Sequence, residues 1–148
     1  RYPEVQKPYF YFEDNRINSG DGNLNWRLQI WQDVIQDLND KEKILFGYGY
    51  ADAIPAMERI DRAGLDGTNI HVHNYFINIL ARGGIVHLFL YLFLYGLLLS
   101  KIINFKEDYL TAAFITAVLF VSFFDSSMET VRFPFLFFTV LSYKLSKE

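Results

Sequence analysis

The residues with chemical potential in this chain are few and clustered. His73 and Asn74 follow a turn rich in Gly and Asp and open a helical pattern that enters an almost purely apolar stretch of Leu, Phe and Tyr. An unperturbed imidazole titrates at about pH 6.5, which suits a general base that takes a proton from a hydroxyl near neutral pH. A solitary interfacial His serves equally well as a structural hydrogen-bonder, so residue type alone leaves both roles open. Asn74 has the amide chemistry to orient a sugar. His71 and His73 form a His-x-His pair, but no second group of carboxylates or histidines accompanies it. His87 lies roughly four helical turns further on, too far to share an ion with them. No metal site is assigned.

Leu24, Leu28, Trp31, Ile35 and Leu38 recur at steps of four and three, with Val34 alongside. That spacing predicts an amphipathic helix over about 24–39, capped by Asn23 or Asn25. Arg27 projects within the apolar stripe, whereas Gln29, Asp33 and Gln36 take the opposite face. A guanidinium there either carries its head to water or stacks on Trp31, or it presents a planar, permanently charged fork to an anion such as phosphate.

The elements that must position these groups belong to two different solvents. Across 148 residues the net charge is -3 and the mean hydropathy is +0.09, but both values average unlike halves. Charges crowd the first half, and from Gly83 to Phe124 only Lys101, Lys106, Glu107 and Asp108 are charged. With 15 Phe and 10 Tyr, the chain is rich in side chains that settle at the boundary of hydrocarbon and headgroups. The absence of Cys removes thiol nucleophiles and disulfides. The opening Arg-Tyr-Pro-Glu has no basic region leading into an apolar run, so no signal peptide is assigned and the chain is expected to be the C-terminal part of a longer membrane protein.

Along the chain, Tyr9 to Phe12 predict a short edge strand or extended segment broken at Asn15, with Pro3 and Pro8 arguing against a central strand. Gly47 and Gly49 permit a tight turn or a close backbone approach and match no phosphate-loop pattern. Pro55 starts a short helix through Ile60 and Asp61 that ends in turns at Gly64 and Asp66-Gly67-Thr68. Arg59 and Arg62 are secondary candidates for anion contact. Membrane segments are expected over about 84–104, 109–124 and 131–145, the last restarting at a Ser126-x-x-Glu129 capping box. Lys101, Lys106, Lys144 and Lys147 mark the cytoplasmic ends. His73, Arg27, Asp125, Glu129 and Arg132 then share the opposite, periplasmic or exterior side. That side lacks nucleotide sugars, so chemistry there needs a preactivated, membrane-delivered substrate.

His73-Asn74, nine residues, then Gly84-Ile85 resembles the His-Asn-x9-Gly-x-x-Gly signature of the O-antigen ligase and O-antigen polymerase superfamily of bacterial membrane glycosyltransferases. Arg27-Leu-Gln-Ile-Trp31 is similar to that family's Arg followed by an aliphatic-Trp pair. Leu45-Phe-Gly47-Tyr-Gly49-Tyr is similar to its Gly-aromatic-Gly turn. The resemblance covers about residues 24–100, and the last Gly of the signature is His87 here, which bears on local packing.

The resemblance implies an all-α membrane protein, this chain being the C-terminal fragment of a polytopic helical bundle in the bacterial inner membrane. A periplasmic loop region (1–83) would precede a transmembrane region (84–148). It implies transfer of a glycan from undecaprenyl pyrophosphate to an acceptor saccharide, with no nucleotide or metal cofactor and no nucleic acid. In that scheme His73 is the general base, Arg27 and Arg82 hold the pyrophosphate, and Asn74 positions His73 or the acceptor. The alternative is a non-catalytic transport or assembly component whose loop binds lipid headgroups or a partner.

Overall fold

In the computed structural model, which describes residues 8–59, 71–103, 109–125 and 127–146, the chain begins with a hairpin. Asp14 and Asn15 both take left-handed backbone angles, φ 52° and 62°, as a two-residue hairpin turn of the primed type requires. Strands β1 (Phe10–Glu13) and β2 (Arg16–Ser19) pair antiparallel, Phe12 opposite Ile17 and Glu13 opposite Arg16. The all-α expectation is corrected to this extent. The break at Asn15 was legible, but the return strand was not.

Helix α1 (Gly22–Asp40) starts two residues before the predicted boundary, because Asp21 is its cap and accepts from Leu24 N at 2.7 Å. Asn25 instead accepts from Ser19 N at 2.9 Å and ties the helix to β2. The buried line is Ile30, Val34 and Leu38, packed with Ile54, Ala56, Met57, Val72, Leu80 and Ala81, while Ile35 is exposed. Asp33, expected on the solvent face, is only 1% exposed. The hairpin covers that side of α1 and brings Arg16 to 2.5 Å from the Asp33 carboxylate, with Arg59 at 3.2 Å.

Arg59 also pairs with Asp37 at 3.0 Å, so it braces α1 rather than presenting a charge to an anion. Because both arginines keep contact with water, Asp33→Asn is expected to destabilise this unit by about 1 to 2 kcal/mol. Thermal melts of the membrane-inserted protein with its α1 region monitored by protease protection would measure that loss.

The Pro55 helix is a single 3-10 turn, Pro55–Met57. Its predicted extension through Ile60, Asp61 and Arg62 lies outside the described residues, as do Pro3, Gly64 to Thr68, Lys106, Ser126 and Lys147. Helix α2 (Tyr75–Ile103) is broken at Gly84, where φ is 68° and ψ is -169°. The break is filled by the glycine turn. Tyr48 N and Gly49 N donate to the carbonyls of Ala81 and Arg82, both at 2.8 Å, while Ile85 N and Val86 N donate to Ile44 O and Leu45 O at 2.8 and 3.3 Å. A helix that loses its own ladder must satisfy those groups elsewhere, and this loop does so from both sides of the break.

Helices α3 (Tyr109–Ser122) and α4 (Arg132–Leu145) follow, with a 3-10 turn at Ser127–Glu129 between them. Tyr95, Ile115, Val118, Met128, Phe137 and Leu141 form the core where they meet α2. Among the described residues one helix, Tyr75–Leu97, is long and apolar enough to cross a membrane. It comprises two helical pieces that meet at the Gly84 break. α3 and α4 have 14 residues each, roughly 21 Å of rise, short of a hydrocarbon core of about 30 Å. Only 17% of the spanning window is buried, and Phe89, Leu90, Phe93, Phe120, Phe135 and Leu136 are exposed. Exposed apolar area of this extent marks a surface that meets a membrane or other protein rather than water.

Candidate functional site

The site is built by α1 gripping the segment that leads into α2. Trp31 Nε1 donates to Val72 O at 2.8 Å, and the Val72 side chain is fully buried against α1. The Trp26 ring packs on the His73 ring, with centroids 5.4 Å apart. His73 itself holds φ at 54°, a left-handed conformation uncommon outside Gly and several-fold enriched for His, Asn and Asp. One residue on, the buried Asn74 accepts from Ile77 N at 3.1 Å and caps α2. Anchored on both sides, His73 has its backbone direction fixed before any ligand arrives.

Arg27 lies one helical turn before Trp31 and reaches across to the end of α3, donating from Nη1 to Phe124 O at 2.6 Å. Its Nε is buried and has no hydrogen-bond partner among the described residues. The guanidinium acts on His73. Burial first, and the Arg27 charge second, hold the His73 imidazole below its ordinary pKa, with His71 adding to the effect and Asp125 opposing it. The neutral, proton-accepting form is therefore the one this site favours.

Two clefts are lined by neighbours of His73. One, of about 360 Å³, is lined by Arg27 together with Tyr9, Asp21, Asn23, Leu24 and Phe124. The other, of about 370 Å³, contains Arg82, so the two candidate anion-binding arginines line different clefts. Arg82 is anchored through Nη1 to the carbonyls of Gly49 and Asp52, 3.2 Å from the former. His71, beside His73 with ring centroids 6.5 Å apart, lines this second cleft and meets Glu129 at 3.3 Å. His73, Arg27, Asp125 and Glu129 thus gather at one end of the helices, as the charge pattern of the sequence anticipated. His87 contacts Tyr50 at 3.5 Å and rests on Gly83, where an added Cβ would come within 2.3 Å of it. Among the described residues no three of His, Asp and Glu are grouped to hold a metal ion.

Residues 4–92 match the family model described as O-antigen ligase. The chain belongs to the O-antigen ligase family. The match covers more than half of the chain and contains Arg27, His73, Asn74 and Arg82. No curated protein and no solved structure matches the chain. Membership in the O-antigen ligase family assigns it to surface-polysaccharide and lipopolysaccharide assembly, with glycosyltransferase-type chemistry among inner-membrane proteins. Glu129 and Phe124, which complete the two clefts, lie beyond the matched span. Trp31 was read from the sequence as part of the apolar stripe, a stacking partner for Arg27 and half of an aliphatic-Trp pair, and Trp26 was not singled out. The signal for their role was the i, i+4 spacing of Arg27 and Trp31, which places both on the face toward the His73 segment.

Proposed function

We propose that this chain carries the reaction centre of a polytopic inner-membrane glycosyltransferase that moves a glycan from undecaprenyl pyrophosphate to a sugar hydroxyl at the periplasmic face. His73 takes the hydroxyl proton as the oxygen attacks the anomeric carbon. The bond from that carbon to the phosphate oxygen breaks, and the pyrophosphate leaves as an anion beside Arg27, whose charge balances what develops there. Asn74 is a positioning residue that fixes His73 through the helix cap. The observation that carries this reading is that α1, which carries Arg27, holds the His73 segment through Trp26 on the His73 ring and Trp31 on Val72 O, with the Arg27 charge helping to lower the imidazole's pKa. The buried Arg27 Nε supports it further, since an unpaired charged donor is costly and a phosphate oxygen would supply the missing acceptor.

The Arg27 to Phe124 bond favours one competing reading, in which Arg27 only ties α1 to the end of α3. Arg27→Lys separates the two. A lysine can reach a carbonyl but cannot offer the bidentate fork, so a tether tolerates it and a pyrophosphate site loses about 1.5 to 3 kcal/mol, roughly ten- to a hundredfold in transfer. Transfer from a lipid-linked glycan in membranes holding the full-length variant is expected to show that loss at normal protein abundance. Undiminished transfer would leave Arg27 as a tether. Whether the enzyme extends a polymer or ligates it depends on the acceptor. Loss of a ladder of polymer lengths on deletion identifies a polymerase, and polymer accumulating on its lipid carrier identifies a ligase.

A further inference from the structure

Resting on the transferase reading above, we propose that the second cleft is the seat of the acceptor sugar, and that Tyr50, Tyr75, Asn78, Arg82, Glu129 and His71 bind its hydroxyls and ring face. The cleft's volume of about 370 Å³ falls within the range of about 300 to 1,000 Å³ typical of small-molecule sites. Tyr75, Asn78 and Arg82 stand at i, i+3 and i+7, on one face of the first half of α2, so a single helix presents an aromatic, an amide and a cation together. Tyr50 closes the opposite side and is 70% exposed. Glu129 completes the wall from the turn between α3 and α4.

The mix of groups selects the ligand. A pyranose has an apolar C–H face, which suits the electron-rich face of a tyrosine ring. Its edge carries hydroxyls that both donate and accept, which suits a carboxylate, an amide and a guanidinium set side by side. The Glu129 carboxylate would oppose a phosphate group here, whereas it accepts hydroxyl donors readily. Arg82 is held by backbone carbonyls through one nitrogen and so enters the cleft in a fixed orientation. The cleft adjoins His73 through the His71 ring, and Arg27 lines the other cleft. Acceptor and leaving group are thereby assigned to separate clefts, one reached through His71 and the other through Arg27.

The test uses the full-length protein in nanodiscs and, as probe, a lipid-free and phosphate-free oligosaccharide of the host's own surface-polysaccharide repeat. Saturation-transfer NMR is expected to detect binding to the wild type. Tyr50→Ala and Glu129→Gln are expected to weaken it at least tenfold, and Arg27→Ala is expected to leave it unchanged. In transfer assays Glu129→Gln raises the acceptor KM about tenfold and leaves the donor KM alone. Absence of wild-type binding, wild-type affinity in both cleft variants, loss in Arg27→Ala, or an effect on donor KM instead would overturn the assignment. Should the oligosaccharide bind as expected while the wild type transfers nothing, the transferase reading fails and the saccharide cleft stands.

Discussion

Replacing His73 by Gln is expected to cut glycan transfer by roughly a hundred- to ten-thousandfold, the range that a positioned general base contributes. Glutamine keeps a polar side chain in the place that Trp26 and the Asn74 cap define, but it cannot take a proton. The pH profile carries the same claim. Burial and Arg27 both push the His73 pKa down from its ordinary value, so the base stays neutral through the physiological range and activity declines only on the acid side, below about pH 6.5. Removing the nearby positive charge makes protonation easier. In Arg27→Gln the acid limb of the residual activity therefore moves to higher pH, whereas in Arg27→Lys, which keeps the charge, it stays. A limb at or above the ordinary histidine range in the wild type, or one indifferent to Arg27→Gln, would contradict this role for the pair.

The second large effect concerns backbone rather than chemistry. Gly84 combines φ 68° with ψ -169°, a region essentially reserved for Gly and costing any other residue about 1 to 3 kcal/mol. A Cβ there would also stand 2.2 Å from the carbonyl of Leu45 and 2.4 Å from Phe46 N. Relieving that overlap pulls the glycine turn off the break and strands the four backbone bonds that join them. Gly47 sits on the other side of the same contact, with φ 67° and an added Cβ 2.5 Å from the Arg82 carbonyl carbon. Gly84→Ala is thus expected to lose more than about 3 kcal/mol, a large share of ordinary stability. The check is protein abundance in the membrane with a thermal melt, and normal values for both would show that the break does not need glycine.

How much of this was legible in the sequence depended on the range of the interaction that decides it. The α1 period showed in Leu24, Trp31 and Leu38, because a helix repeats within its own residues. The shared end of His73, Arg27 and Glu129 followed from the charge pattern around the apolar segments. Gly47 and Gly49 announced a close approach, but what approaches them is the break at Gly84, far away in sequence. Asp33 was placed on the wrong face because its partners, Arg16 and Arg59, come from the hairpin and the segment after α1. Asn74 gave its amide chemistry but not its use as a cap. The second cleft escaped because Glu129 reaches it from beyond α3, even though Tyr75, Asn78 and Arg82 were already aligned on one helix face.

The most direct test is complementation of a deletion strain by the full-length gene carrying His73→Gln, with surface polysaccharide resolved by length and the protein's level in the membrane controlled. Loss of long chains at wild-type abundance is the predicted result. Polysaccharide of normal length and yield would make His73 structural and shift the role of this loop from catalysis to binding.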